Sequence, residues 1–175
     1  MDEFSHVEDD SVSMVDVGGK AVVDRRATAA GRLVVAPSTA TAIRSDGIEK
    51  GNVLATARIA AIQAVKRTWD DIPLCHQLPV DGVEVTFDVR GGSGDDVGTE
   101  SEAAVDCEVT VESTGQTGVE MEALNGVTRA LLTVFDMVKS AEKDAEGEYP
   151  TATITDVRVL EKHKGAPRGA TEADE

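Results

Sequence analysis

VEVTFDVRGGSGDDVGTESEAAVDCEVTVES, residues 83–113, decides the fold. In its first part Val83, Val85, Phe87 and Val89 alternate with Glu84, Thr86, Asp88 and Arg90. In its last part Val105, Cys107, Val109 and Val111 fall on one face. A period of two is that of a half-buried strand, so 83–90 and 103–113 read as two strands. The glycine-rich, acidic run 91–102 between them reads as a hairpin loop.

Outward from this hairpin the segment types alternate without an internal repeat. Upstream, RLVVA (32–36) is a short apolar run ended by Pro37 and Ser38, and reads as a strand. A short helix capped by Ser38 or Thr39 is expected to run to about Ser45. From Asn52, an N-cap residue, NVLATARIAAIQAVKRTW reads as a helix of about 17 residues. Its Ala-rich first half is apolar nearly all round, which predicts burial on more than one side. Downstream, a long helix is expected from about Val119 to Ala145, and TATITDVRVLEK (151–162) closes as a strand. The order β-α-(α)-β-β-α-β predicts an α+β, ferredoxin-like split βαβ fold, with two main helices on one face of an antiparallel sheet. The other face has to be covered or solvated, and apolar strands and helix sides predict a homo-oligomer.

Length and charge narrow the classes. With 175 residues, one domain is expected, spanning 14–162 between an acidic mobile arm (1–13) and a flexible tail (163–175). Aromatics make up only 3% of the chain, so Ala, Val, Leu and Ile must build the core. The formal charge of −16 argues against nucleic-acid and anionic-membrane partners, which need basic patches. An acidic excess spread over a folded chain with few Lys is the composition of a halophilic protein, because salt screens the self-repulsion. The N-terminus lacks an apolar signal core and no run suits a membrane span, so a cytoplasmic protein with reduced Cys75 and Cys107 is expected.

Three places carry chemistry. In DIPLCHQLPV (71–80), Cys75 and His76 sit between Leu74 and Leu78, bracketed by Pro73 and Pro79. A neighbouring Cys and His do not make a zinc site, since His6 and His163 lie in expected tails and Cys107 is isolated. Adjacent residues also point poorly for a Cys/His dyad. A packed thiol beside a hydrogen-bonded imidazole is the bland alternative, and a proline-stiffened loop presenting one imidazole is the functional one. On the long helix Glu122, Asn125, Arg129, Thr133 and Asp136 form a polar stripe, with Lys139 one turn on. The middle of that stripe reads as a solvated face. Asp136 and Lys139 lie inside FDMVK, where apolar neighbours could desolvate the lysine for proton transfer. Third, Lys50 precedes a helix start, where anions are favoured, and Arg58, Lys66 and Arg67 follow on that helix. Lys20, Arg25 and Arg26 in VGGKAVVDRRA form another basic group.

MVDVGGKAVVDRRATAAGRL (14–33), KGNVLATARIAAIQAVKRTWDDIPLCHQLPV (50–80) and TGQTGVEMEALNGVTRALLTVFDMVKS (114–140) closely resemble the cyclic pyranopterin monophosphate synthase family, the C protein of molybdenum-cofactor biosynthesis. The resemblance implies a ferredoxin-like α+β lyase, assembled as a hexamer of three dimers. Its substrate would be a cyclised GTP derivative, 3′,8-cyclo-7,8-dihydroguanosine triphosphate, converted to cyclic pyranopterin monophosphate plus pyrophosphate. It also implies that Leu74, Cys75 and His76, with Met121 and Glu122, bind substrate. Asp136 would be catalytic, Lys139 would act beside it, and Lys50 resembles the family's general acid. His76 can also exchange protons, and Arg25 and Arg58 are the candidates for holding phosphates. Three positions depart from the family pattern: Gln77 follows Cys-His in place of Pro, YDMCK appears as FDMVK, and KGD as KGN. No redox cofactor is implied, and a divalent-metal requirement stays open.

Glu122 and Asp136 lie 14 residues apart on one helix, about 21 Å at 1.5 Å per residue. Both ends cannot reach one small reacting centre within a subunit, which predicts a composite site between subunits. The competing readings are a ferredoxin-like small-molecule regulatory domain, which would release no pyrophosphate, and a metalloprotein, which would hold zinc through dialysis until Cys75 is replaced.

Overall fold

The computed structural model describes residues 7–8, 11–91 and 102–167. Two short strands, β1 (Val7–Glu8) and β2 (Ser11–Val12), pair antiparallel with each other. The main sheet holds β3 (Val23–Val34), β4 (Gly82–Arg90), β5 (Ala104–Gly115) and β6 (Thr153–Pro167) in the order β4-β5-β3-β6. Every neighbouring pair is antiparallel. The helices are α1 (Pro37–Arg44), α2 (Val53–Asp71) and α3 (Glu120–Glu142). β3-α2-β4 and β5-α3-β6 are the interleaved βαβ units of a ferredoxin-like fold, and α1 is an added short helix.

The hairpin that decided the fold has the expected register. Val83 pairs with Val111, Val85 with Val109, Phe87 with Cys107 and Val89 with Val105. The opposite face of the sheet is not apolar. It carries Arg26 against Glu112, Thr28 against Thr110, and Arg32 and Arg90 both bonded to Asp106. Most of the expected loop, residues 92–101, lies outside the described residues, as do 168–175.

α3 packs closely on its neighbours at two glycines, Gly31 beneath it on β3 and Gly126 within the helix itself. A Cβ on Gly31 would sit 2.8 Å from a Val127 methyl and 2.9 Å from a Leu131 methyl. A Cβ on Gly126, inside α3, would sit 2.9 Å from Val65 on α2 and 3.0 Å from Val109 on β5. Ala27, Ala29, Ala123 and Ala130 continue the small-residue surface and are fully buried. Small side chains thus let sheet, α2 and α3 meet at close range, which suits a core with few aromatics.

Several boundaries and surfaces differ from the expectations. The first main strand begins at Val23 rather than Arg32 and ends at Val34. It is paired along both edges, and that pairing overrides the weak strand propensity of its Ala, Gly and charged residues. α1 is not capped by Ser38 or Thr39. Its N-cap is Ala36, with Pro37 at the first helical position, and the Ala36 N–H donates to Glu142 Oε1 of α3 (2.9 Å). β6 runs through Gly165 to Pro167, past the point where the tail was expected to begin. α2 buries one stripe, including Val53, Ala57, Ala61, Val65 and Thr68, while Ile59 remains 59% exposed.

The close packing at Gly126 makes a direct prediction. In an open helix Gly→Ala gains about 1 kcal/mol. Gly126→Ala is expected instead to lose about 1–3 kcal/mol, because Val65 and Val109 have no room to yield. Denaturant unfolding of the two proteins measures the difference.

Candidate functional site

The residues singled out in the sequence gather into two clusters at opposite ends of α3. The first lies near its C-terminal end. Lys50 stands on a turn closed by Gly51, whose φ of 96° favours glycine and whose N–H donates to Ile48 O. Asn52 then caps α2 by accepting from Ala55 N (2.8 Å) and ties back to Asp46 (3.2 Å). From this braced turn Lys50 Nζ donates to the Asp136 carbonyl (2.6 Å) and to Asp136 Oδ2 (2.9 Å). Lys139 Nζ donates to Asp136 Oδ1 (2.7 Å). Both carboxylate oxygens therefore hold an ammonium.

This pairing pulls the Asp136 carboxyl down to about 2, through the hydrogen bond from Lys139 first and that from Lys50 second. The Lys139 ammonium is correspondingly raised by Asp136. Within the single chain both side chains are about half exposed, so one subunit alone does not supply the desolvation expected of Lys139. As placed, the cluster is an oriented pair of proton donors around a fixed anion. It opens onto a cleft of about 340 Å³ walled by Leu132, Phe135 and Tyr149.

The second cluster lies at the N-terminal end of α3. After α2 the chain turns at Pro73, Cys75 N–H donates to Ile72 O (3.0 Å), and Ser113 Oγ donates to Pro79 O (2.6 Å). The loop so held lines a cleft of about 330 Å³ with Leu74, Cys75 and His76, opposite Met121 and Glu122. A strap from the N-terminal side forms another wall with Val15, Val17 and Lys20. His76 Nε2 donates to Val15 O (2.8 Å), which leaves Nδ1 as the acceptor of the neutral ring. Gln116 clasps the strap through Gly18 O and Lys20 O (both 3.1 Å).

Glu122 is only 4% exposed, and burial pushes its carboxyl up to about 7. Cys75 is half-buried, and its thiol is raised by burial and then by the charge of Glu122. That environment suits a packed or hydrogen-bonding thiol and not a thiolate nucleophile. Both cysteines are free, and burial pushes Cys107 up to about 12.

The structure separates the remaining candidates. Arg25 reaches the carbonyls of Gly115 and Gln116, close to the strap. Arg58 instead donates to Val85 O and stacks over Phe87, 5.6 Å from its centroid. The middle of the polar stripe on α3 is not a solvated face: Asn125 donates to Ala64 O, Thr68 and Asp71 of α2, and Arg129 pairs with Asp71. Sequence reasoning gave Lys20 no place in a cleft and passed over Tyr149. Lys20 had a signal, a lysine after a Gly-Gly turn in an acidic chain. Among the described residues, no group of three or more His, Cys, Asp and Glu is arranged to hold a metal ion.

The comparisons show the family of the chain. A model of the MoaC family matches residues 14–165, which span both clusters. The chain belongs to the MoaC family. A probable cyclic pyranopterin monophosphate synthase of Halobacterium salinarum is 54% identical over 167 residues, covering 95% of this chain and 96% of its own. A protein of the same name from Methanosphaerula palustris is 52% identical over 165 residues, 94% of this chain and all of its own. A Methanothermobacter thermautotrophicus protein, named as a probable cyclic pyranopterin monophosphate synthase accessory protein, is 54% identical over 164 residues. It covers 94% of this chain and 96% of its own. In this MoaC-family chain the Lys50–Asp136–Lys139 and His76–Glu122 groups thus lie within a match that is nearly complete.

Glu122 makes a prediction about pH. Its folded-state value of about 7 lies above the ordinary 4.5, so the folded protein holds this proton more tightly than the unfolded chain. Stability from this group is fully present below pH 4.5 and falls as pH rises through about 7. The whole effect is on the order of 3 kcal/mol. Glu122→Gln should remove that part of the decline, seen by thermal unfolding at pH 5 and pH 8.

Proposed function

We propose that this protein is a cyclic pyranopterin monophosphate synthase. It converts 3′,8-cyclo-7,8-dihydroguanosine triphosphate to cyclic pyranopterin monophosphate and pyrophosphate, a lyase step of molybdenum-cofactor biosynthesis. Within a chain of the MoaC family, the observation that carries this reading is the doubly bonded Asp136, with Lys50 and Lys139 on its two oxygens.

The reaction rebuilds the guanine-derived rings and closes a cyclic phosphate. An oxygen attacks the α-phosphorus, its bond to the bridging oxygen breaks, and pyrophosphate leaves. These steps need protons delivered to nitrogen and oxygen, and positive charge beside the phosphates. Lys50 and Lys139 are the acids of this scheme. Asp136, held near pKa 2, is a poor proton acceptor and acts by fixing both ammonium groups and the direction of their N–H bonds. At the other cluster, the buried Glu122 and the loop Leu74–His76 bind the substrate. His76 Nδ1 accepts a hydrogen bond there, or carries a proton when the ring is charged. Arg25 and Lys20 border that cleft and supply charge toward the phosphates. Arg58 is the weakest phosphate candidate, because its guanidinium is directed to Val85 and Phe87.

The clusters are separated along α3, so the site is composite: one subunit contributes Asp136, Lys50 and Lys139, and another contributes His76 and Glu122. A hexamer of three dimers, acting in the cytoplasm at high salt, is the assembly that fits the family and the acidic charge.

Pyrophosphate release from the cyclised GTP derivative in multimolar KCl tests the chemistry. Asp136→Asn should fold normally and lose about 10²–10⁴-fold in rate. Co-refolding Asp136→Asn with Glu122→Ala tests the composite site. Mixed oligomers should recover activity that neither variant has alone, whereas a site within one subunit would give none.

A further inference from the structure

The cleft beside Asp136 and Lys139 has walls that the lyase scheme has not used. Leu132 is 50% exposed and Tyr149 36%, and Phe135 lines the cleft with them beside the two charged groups. Tyr149 stands on the segment joining α3 to β6, and this segment is built to hold it. Asp144 Oδ1 accepts from both Glu146 N (3.1 Å) and Glu148 N (2.7 Å). Asp144 N donates to Glu148 O, Gly147 N to Asp144 O, and Gly147 takes a φ of 93°. The ring meets Phe135 edge-on, with centroids 5.2 Å apart, and Lys143 lies over it at 5.9 Å. Four hydrogen bonds thus order the turn that leads into Tyr149, and its partly exposed ring lines the cleft.

We infer that Tyr149 is a substrate-positioning residue, whose ring, with Leu132 and Phe135, holds one face of the ring system that is opened and rebuilt over the Asp136–Lys139 pair. The inference rests on the lyase reading above. If the two lysines deliver protons to that ring system, its atoms must come within hydrogen-bond reach of them. The surface then touching the ring's face is the apolar wall next to them. A cleft of about 340 Å³ with apolar sides and a charged end has the size and lining of a small-molecule pocket. An edge-to-face aromatic pair also offers a rigid shelf at low entropic cost. The ligand class is therefore a fused, partly unsaturated heterocycle with its phosphates directed away from the shelf.

Tyr149 is the single tyrosine of the chain, so labelled tyrosine reports on this position alone. With the cyclised GTP derivative, the ring signals of Tyr149 in the full-length protein should shift on binding. Tyr149→Ala should raise KM at least tenfold while the oligomer's mass by light scattering stays unchanged, and Tyr149→Phe should restore KM to within about twofold. Asp144→Ala, which loosens the segment without touching the cleft, should give an intermediate KM. An unshifted tyrosine signal at saturating substrate overturns the inference. So does a Tyr149→Ala protein with unchanged KM, or one that falls apart into smaller species, which would make the wall a contact between copies. These outcomes are distinct from failure of the lyase reading, which shows as wild-type protein releasing no pyrophosphate.

Discussion

The close approach of α3 to the sheet and to α2 governs where every chemical group lies. Gly31 and Gly126 leave no room for a methyl between the layers, so α3 lies flat over β3 and β5 instead of riding on larger side chains. A regular helix of 23 residues also keeps its two ends far apart, at about 1.5 Å of rise per residue. Glu120–Glu142 therefore acts as a rigid spacer, and the groups at its two ends stay apart. The same contact brings the end of α3 to the start of α1, where Glu142 accepts from Ala36 N–H. It also brings α3 against the turn before α2, which lets Lys50 reach Asp136.

The two carboxylates on this spacer are driven in opposite directions by their surroundings. Asp136 is exposed and carries an ammonium on each oxygen, so it remains charged throughout the neutral range. Glu122 is buried in the cleft it shares with Cys75, and burial holds its proton up to about 7. One helix thus presents a permanent anion at one end and a group that exchanges protons near neutrality at the other. Separation of titratable groups by environment is the usual way acid and base roles are divided in a site. Under the composite-site reading, the neutral-range group and the ammonium pair would face the same ligand from different subunits.

Much of this was legible in the sequence where local chemistry decides. The alternation from Val83 to Val111 fixed the hairpin and its buried face, and Asn52 announced the start of α2. The Asp136–Lys139 pair followed from helical spacing. What was not legible depended on contacts far apart in the chain. The stretch from Val23 to Gly31 looks like a poor strand because Ala27, Ala29 and Gly31 are small, yet their smallness is what α3 needs above them. The middle of the polar stripe looked solvated because its partners, Ala64, Thr68 and Asp71, belong to another helix. Lys50 lies 86 residues from Asp136, and no periodicity connects them.

The charge of the chain gives this geometry a further consequence. At −16, long-range attraction for a triphosphate is absent, and at high salt the Debye length falls to about 3 Å at 1 M. At such salt, attraction between charges acts only at contact distance and not as a diffuse field. Several arginines are already engaged elsewhere: Arg32 and Arg90 with Asp106, Arg129 with Asp71, and Arg58 with Val85 and Phe87. Lys50 and Lys139 are engaged too, but with an exposed carboxylate at the mouth of a cleft, and each ammonium keeps at least one N–H to spare. Asp136 thus holds both ammonium groups in place at the mouth of the cleft by direct contact, an arrangement that salt screens far less than a diffuse positive field.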